Sequence, residues 1–246
     1  MDKATKSLLN VLLSVLAPVL ILDHCSADGD KIWHLGTTWA MVVALALPIG
    51  CGIYSLVTER KIEAMTAFGL LGTILTGVVT IYANTGDTLA IRPDTPWWYA
   101  AKEAIIALLL AGAMLVGGGK EGSLLRACVY SDALFDIRRI EGTVREKSLQ
   151  TAYNGVLNRA ALMTAASLLF SAAMNFGLAL YFLLPVPDMP AAEQAVQYNY
   201  AVSKMTWMGY LIIGIPLLAT LFLVIRYLGR ALQQLTALPE EQVYMK

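Results

Sequence analysis

Six stretches of the chain are almost continuously apolar, and this feature limits the folds that the chain can adopt. They are 16 to 25 residues long and cover residues 7–22, 35–57, 64–83, 97–119, 160–184 and 205–225. A helix that crosses a membrane needs about 20 mostly apolar residues. A transmembrane β-strand would instead alternate apolar and polar residues over about ten positions. The sequence therefore predicts an all-α, polytopic membrane protein with six transmembrane helices.

The composition excludes several other classes of protein. Apolar residues make up 57 % of the chain and charged residues 15 %, whereas about 25 % of an average soluble protein is charged. Lysine plus arginine and aspartate plus glutamate number 18 each, so no net charge favours nucleic acid. Three cysteines without a C-x-x-C pair give neither a disulfide framework nor a zinc motif. We expect the lipid bilayer to be the main partner, and we expect no nucleic-acid partner.

The first apolar run can be interpreted in two ways. Lys3 and Lys6 before the run, and the small residues after Cys25, resemble a signal peptide and its cleavage site. Pro18 inside the run and Asp23 close to that site favour a helix that is retained. We therefore expect the first transmembrane helix here, extended past residue 22 to reach across the bilayer.

Lysine and arginine are distributed unequally among the predicted loops. With the N-terminus inside, 14 of them lie on the cytoplasmic side and four on the outer side, at Lys31, Arg92, Lys102 and Lys204. Positive residues collect on the cytoplasmic side of membrane proteins, so both termini are predicted to be cytoplasmic. We expect one membrane domain with helices one to four in residues 1–119, a cytoplasmic amphipathic segment at 120–158, and helices five and six with a cytoplasmic tail at 159–246.

The segment 120–158 is the only long connection between predicted spans. Apolar residues recur in it at helical spacing, at Leu134, Ile137, Ile140 and Val144. Glu141 and Arg145 lie one turn apart, which favours a helix. We expect one or two amphipathic helices along the inner leaflet. Two roles remain open: packing on the membrane surface, or docking of a membrane or cytoplasmic protein partner.

The second and sixth apolar runs share a spacing. Trp39 is followed nine residues later by Pro48, and Trp207 nine residues later by Pro216. This echo is consistent with three helical hairpin repeats, formed by helices 1–2, 3–4 and 5–6. Interfacial tryptophan and proline within helices are also common in membrane proteins, so chance similarity is the other interpretation. The oligomeric state is not indicated.

Four polar side chains in or beside the spans are candidate ligand-binding residues. Ionisable groups inside a membrane are costly and often functional. Lys102 lies inside the fourth span and Lys204 at the start of the sixth. They could share an outward-facing pocket that attracts an anion, or each could extend separately to the lipid headgroups. Glu103 would limit the net charge of such a pocket, but it lies about 100° around the helix from Lys102, which argues against a pair between them.

Asn175 is the fourth candidate and the deepest strongly polar residue of the fifth span. An amide at this depth either contacts a ligand or forms a hydrogen bond between helices. The chain has only two histidines, both predicted outside, so no arrangement for hydrolytic or transferase chemistry can be assembled. We expect no enzymatic activity, no catalytic residue, no cofactor and no metal site.

The segment from Arg60 to Met65, which reads Arg-Lys-Ile-Glu-Ala-Met, resembles the intracellular septation protein A family of bacterial inner-membrane proteins. The similarity continues at Trp98 and Lys102 and returns at Asn175. It covers roughly residues 54–126 and, loosely, 160–228, and the middle segment is longer than the family linker. The resemblance implies a multi-pass protein of the bacterial inner membrane with a non-enzymatic role in envelope maintenance or division, exerted through partner proteins. The alternative is a small transporter or lipid-handling protein that uses Lys102 and Lys204.

Overall fold

The computed structural model describes residues 17–25, 33–36, 39–40, 42–44, 46–47, 49–50, 53, 64–83, 90–120 and 123–244. The named elements of these residues are helical. They are α1 (Ala17–His24), α2 (Ala64–Ala83), α3 (Thr95–Gly117), α4 (Leu124–Cys128), α5 (Ile137–Glu146), α6 (Gln150–Leu183), a 3₁₀ turn (Val186–Asp188), α7 (Ala191–Gly209), a π-helical turn (Tyr210–Gly214), α8 (Ile215–Thr236) and α9 (Glu240–Val243).

Three helical stretches within the described residues are long and apolar enough to cross a membrane. They are Thr95–Gly117, Gln150–Asp188 and Ala191–Thr236. The prediction of an all-α fold is thereby confirmed, and these three helices are candidates for membrane spans. Most of the predicted first span lies outside the described residues, and so do residues 60–63 of the Arg60–Met65 segment.

The helix limits agree with the third and fourth predicted spans. The third predicted span coincides with α2, and the fourth differs from α3 by two residues at each end. The fifth predicted span lies within a longer helical stretch, because α6 begins at Gln150, ten residues before Ala160. Residues 150–159 are largely polar, so they extend the helix without lengthening the apolar run.

The long helical stretch from Ala191 to Thr236 contains a π-helical turn. Tyr210–Gly214 forms this turn, and Pro216 follows it in the first turn of α8. Proline has no amide hydrogen and clashes with the carbonyl four residues earlier. The wider π turn accommodates this clash. Pro216 therefore follows a local irregularity, and the stretch Ala191–Thr236 stays helical throughout.

The described chain divides into two compact units. The first comprises Met1–Ile106 and Met174–Leu211, and the second comprises Ala107–Ala173 and Ile212–Lys246. In the first unit, α1 packs against α7. Its core contains Tyr99, Tyr198 and Leu183, each at most 2 % exposed.

The second unit has its own core around the middle segment. Ile140 and Val144 of α5 are buried in one apolar cluster with Phe135, Leu228 of α8 and Val243 of α9. The segment, for which one or two amphipathic helices were predicted, contains α4, α5 and the first turns of α6. The chain itself covers Ile140 and Val144, whereas Leu134 is 38 % exposed, and the role of the segment stays a prediction.

The end of the chain completes this core. The backbone N–H of Asp136 donates to the carbonyl oxygen of Val243 at 3.0 Å, and the ring of Phe135 stacks on Tyr244 at 5.3 Å. Tyr244 also lies so close to α8 that a Cβ on Gly229 would overlap its phenol. The residues after α8 are therefore part of the folded unit.

Candidate functional site

Lys102 of α3 is a buried lysine in the first unit. Its side chain is 7 % exposed. The Nζ atom donates to Oγ1 of Thr76 at 2.6 Å and to Oε1 of Glu103 at 2.6 Å, and it lies 4.0 Å from the ring centre of Tyr99. A hydroxyl, a carboxylate and an aromatic face thus surround the ammonium group, and each of them favours a cation.

The close approach of α2 brings Thr76 to Lys102. A Cβ on Gly72 would lie 2.9 Å from Cδ1 of Ile106, so only glycine fits without a shift at this point. Thr76 itself donates to the carbonyl oxygen of Gly72 at 2.9 Å, which leaves its oxygen lone pairs directed at Lys102. Small residues allow helices in a membrane to approach closely, and here the approach supplies a polar partner.

Glu103 corrects one sequence-based expectation. The angular argument placed Glu103 too far around the helix to pair with Lys102, yet the two side chains form an ion pair. Both side chains are long, so their ends can meet although their Cβ atoms are about 100° apart. The side chain of Glu103 is 28 % exposed, whereas that of Lys102 is 7 % exposed. Solvent therefore reaches the ion pair from the side of the carboxylate.

Lys204 lies in different surroundings from Lys102. Its Nζ atom is 5.1 Å from the ring centre of Tyr200, and its side chain is half-buried. The side of α7 that meets α3 is marked by Tyr198, whose ring packs edge-on against Tyr99 at 6.2 Å. Lys204 follows Tyr198 by six residues, about 240° around the helix. The contacts of the two lysines therefore differ, and a pocket shared by them stays a prediction.

Asn175, the fourth candidate, is half-buried on α6 and takes part in an interaction. The next residue, Phe176, has its ring 6.3 Å from that of Trp97 on α3. Whether the amide serves a ligand or only links helices stays a prediction.

Gln194 of α7 is a buried polar residue that the sequence analysis missed. Its Oε1 accepts from the backbone N–H of Ile91 at 2.6 Å, and its Nε2 donates to the carbonyl oxygens of Pro187 and Met189. One amide thus satisfies three backbone groups that no helix satisfies. A polar residue in a sequence of alternating polar and apolar positions gives no signal of this role.

A second polar cluster lies in the second unit and was also missed. Arg126 of α4 donates to Oε1 of Glu141 at 2.7 Å and to Oη of Tyr153 at 3.2 Å, and its Nε donates to the carbonyl oxygen of Gly119. The phenol of Tyr153 lies 3.2 Å from that of Tyr130, and burial raises the pKa of Tyr130 well above its usual value. Glu141 was expected beside Arg145, but it pairs with Arg126 across the turn between α4 and α5.

The outer side of α5 carries three arginines and one exposed carboxylate, Glu146. Arg138, Arg139 and Arg145 are exposed, while Ile140 and Val144 on the opposite side are buried. Asp136 caps the helix by accepting from the backbone N–H of Arg139 at 3.1 Å. The cap fixes the start of the helix and so sets which side the arginines occupy. This basic face (Arg138, Arg139 and Arg145) can bind acidic groups.

Within the part of the chain that the structure describes, no group of three or more His, Cys, Asp or Glu side chains is arranged to hold a metal ion. No protein-family model, curated protein or solved structure matches the chain.

Proposed function

We propose that the chain is a non-enzymatic, multi-pass protein of the bacterial inner membrane that acts in envelope maintenance or division through a partner protein. The proposal includes six spans, both termini in the cytoplasm, three hairpin repeats and a distant relationship to the septation protein A family. The long apolar helices and the 14 to 4 distribution of lysine and arginine support this topology.

The basic face of α5 is the observation that carries the proposal. Because Ile140 and Val144 are already covered within the second unit and Ile137 is partly buried there, α5 has little apolar surface left for the bilayer. Its outward side instead presents Arg138, Arg139 and Arg145 to solvent. Exposed guanidinium groups on one side of a helix suit recognition of carboxylates, so the partner offers an acidic segment to this face.

Site-specific crosslinking in cells tests the docking proposal. A photo-crosslinking amino acid at Arg138 should capture the partner, and the same residue at Asp132, exposed outside α5, should not. Capture should fall when Arg139 and Arg145 are replaced by glutamate, because the electrostatic attraction is reversed. Lys120→Glu, a charge reversal at an exposed position outside α5, is the matched control.

The cellular role is tested by complementation. In cells that lack the native gene, the wild-type chain and Lys120→Glu should restore normal cell length and envelope integrity, whereas Arg138→Glu/Arg139→Glu should not, at equal expression. Full complementation by the double variant, together with no crosslink from position 138, would reject docking at α5.

The second candidate is a small transporter or lipid-handling protein with an outward-facing, anion-attracting site. The buried pair of Lys102 and Glu103 within an apolar helix favours it, because such groups often mark functional sites. Uptake of an anion into proteoliposomes by the wild-type chain, and its loss in Lys102→Gln, would favour this function over docking.

A further inference from the structure

A shallow groove runs along one side of α8 in the second unit. It has a volume of about 360 Å³ and is lined by Leu223, Arg226, Tyr227, Arg230, Ala231 and Gln234. These positions recur at three- and four-residue spacing, so they form one stripe on the helix surface. Tyr227 packs against the core of the second unit, which fixes one wall of the groove.

The groove holds two arginines that the fold does not use. Arg226 and Arg230 are exposed, and neither forms an ion pair or hydrogen bond with another residue among those described. Two like charges one turn apart repel each other and destabilise a helix slightly. A phosphate group between the two guanidinium groups would remove this repulsion and accept hydrogen bonds from both.

The same stripe becomes apolar toward the start of α8. Ile215 and Leu223 are each 57 % exposed, Ala219 between them is also exposed, and all three precede Arg226 along one side of the helix. Exposed apolar side chains on a membrane-spanning helix face lipid tails. The stripe therefore changes from apolar to cationic where a phospholipid changes from acyl chain to phosphate.

We propose that this stripe binds one anionic phospholipid. Its phosphate lies between Arg226 and Arg230, with the phenol of Tyr227 beside it, and its acyl chains lie along Leu223, Ala219 and Ile215. A soluble phosphate would use the two arginines only. The continuous apolar stripe assigns a lipid as the occupant, and the net charge of the headgroup favours anionic over zwitterionic lipids.

Native mass spectrometry of the full chain in detergent micelles, titrated with lipid, tests the proposal. Phosphatidylglycerol should bind as a first, saturable adduct, and phosphatidylcholine should bind much more weakly. Arg226→Gln and Arg230→Gln should each weaken phosphatidylglycerol binding about fivefold and the double variant about 30-fold, as expected for the loss of one and two charges near a lipid headgroup. The double lysine variant should retain most of the affinity.

Arg159→Gln is the matched control, because Arg159 is an exposed arginine on α6, outside the groove. It should leave binding unchanged, and all variants should elute from size exclusion as the wild type does. Water-soluble glycerophosphoglycerol and inorganic phosphate should not compete at millimolar concentration. Equal competition by these anions, equal binding of phosphatidylcholine, an equal loss in Arg159→Gln or wild-type affinity in the double variant would each overturn the proposal.

Discussion

At the scale of single residues, burial decides what a charged side chain can do. Lys102 is surrounded by Glu103, Thr76 and the ring of Tyr99, so its charge is compensated inside the protein. Lys204 contacts the ring of Tyr200 and keeps part of its surface open. The sequence could identify both lysines, because charges within apolar runs are conspicuous. It could not assign their partners, which depend on how α2 approaches α3.

A double-mutant cycle measures how strongly Glu103 stabilises the buried charge of Lys102. Lys102→Met and Glu103→Gln each remove one side of the ion pair, and their effects on the free energy of unfolding should be non-additive by about 0.5–3 kcal/mol. Lys102→Met and Lys204→Met should be additive within about 0.5 kcal/mol, because the two lysines have different contacts. Thermal unfolding in detergent provides both values. Strong coupling between the lysines would place them in one site after all.

Tyr130 predicts a pH dependence of stability. Burial raises the pKa of its phenol well above the value of about 10 that it has in the unfolded chain. Above pH 10 the unfolded chain therefore loses a proton that the folded chain keeps, and the free energy of unfolding falls as pH rises. The slope approaches about 1.4 kcal/mol per pH unit for this residue.

The comparison with Tyr130→Phe isolates this contribution. Denaturant unfolding between pH 8 and 11 should show a flatter decline for Tyr130→Phe than for the wild type, although the variant starts less stable by about 1 kcal/mol through loss of its contact with Tyr153. Parallel curves would mean that Tyr130 ionises as readily in the folded chain as in the unfolded one.

At the scale of elements, hydropathy predicted which stretches form long apolar helices, but it did not predict where each helix begins. The apolar run of α6 starts at Ala160, but the helix starts at Gln150, because Tyr153 and Leu157 turn their side chains into the core of the second unit. Tyr153, Val156 and Leu157 are the large apolar side chains of this extension, and the polar residues around them hide the pattern. The ion pair between Arg126 and Glu141 could not be predicted either. The two residues lie on different helices, and their approach depends on the turn between α4 and α5.

The turn after α3 offers a test of element geometry. Gly118 has a φ of +47°, and a Cβ there would lie 2.5 Å from Oδ1 of Asn158, the atom that accepts from the backbone N–H of Gly119. Gly118→Ala should therefore lower the free energy of unfolding by about 1–3 kcal/mol. Gly112→Ala, inside α3 with open space around it, should be neutral or stabilise by up to about 1 kcal/mol. Similar losses for both variants would contradict this account.

At the scale of the whole molecule, the distribution of lysine and arginine predicts the orientation in the membrane. A cysteine placed at Asp188, which is exposed beside the turn between α6 and α7, should react with a membrane-impermeant thiol reagent in intact cells. A cysteine at Arg139 should react only after lysis. The native cysteines are first replaced by serine, and Asp94 is avoided because it accepts hydrogen bonds from Tyr82 and Trp98. Labelling at position 139 in intact cells would reverse the orientation.

The packing of Val243 and Tyr244 against the middle segment has a consequence for the synthesis of the protein. Phe135, Ile140 and Val144 leave the ribosome about a hundred residues before Val243, which covers them. At about 5–20 residues per second, this interval lasts about 5–20 s. During that time α6, α7 and α8 are synthesised while the apolar side of α5 lacks its final cover. The synthesis of α9 therefore sets the moment at which α5 receives its final cover, and a nascent chain that stops before α9 is expected to leave part of this apolar side exposed to aggregation.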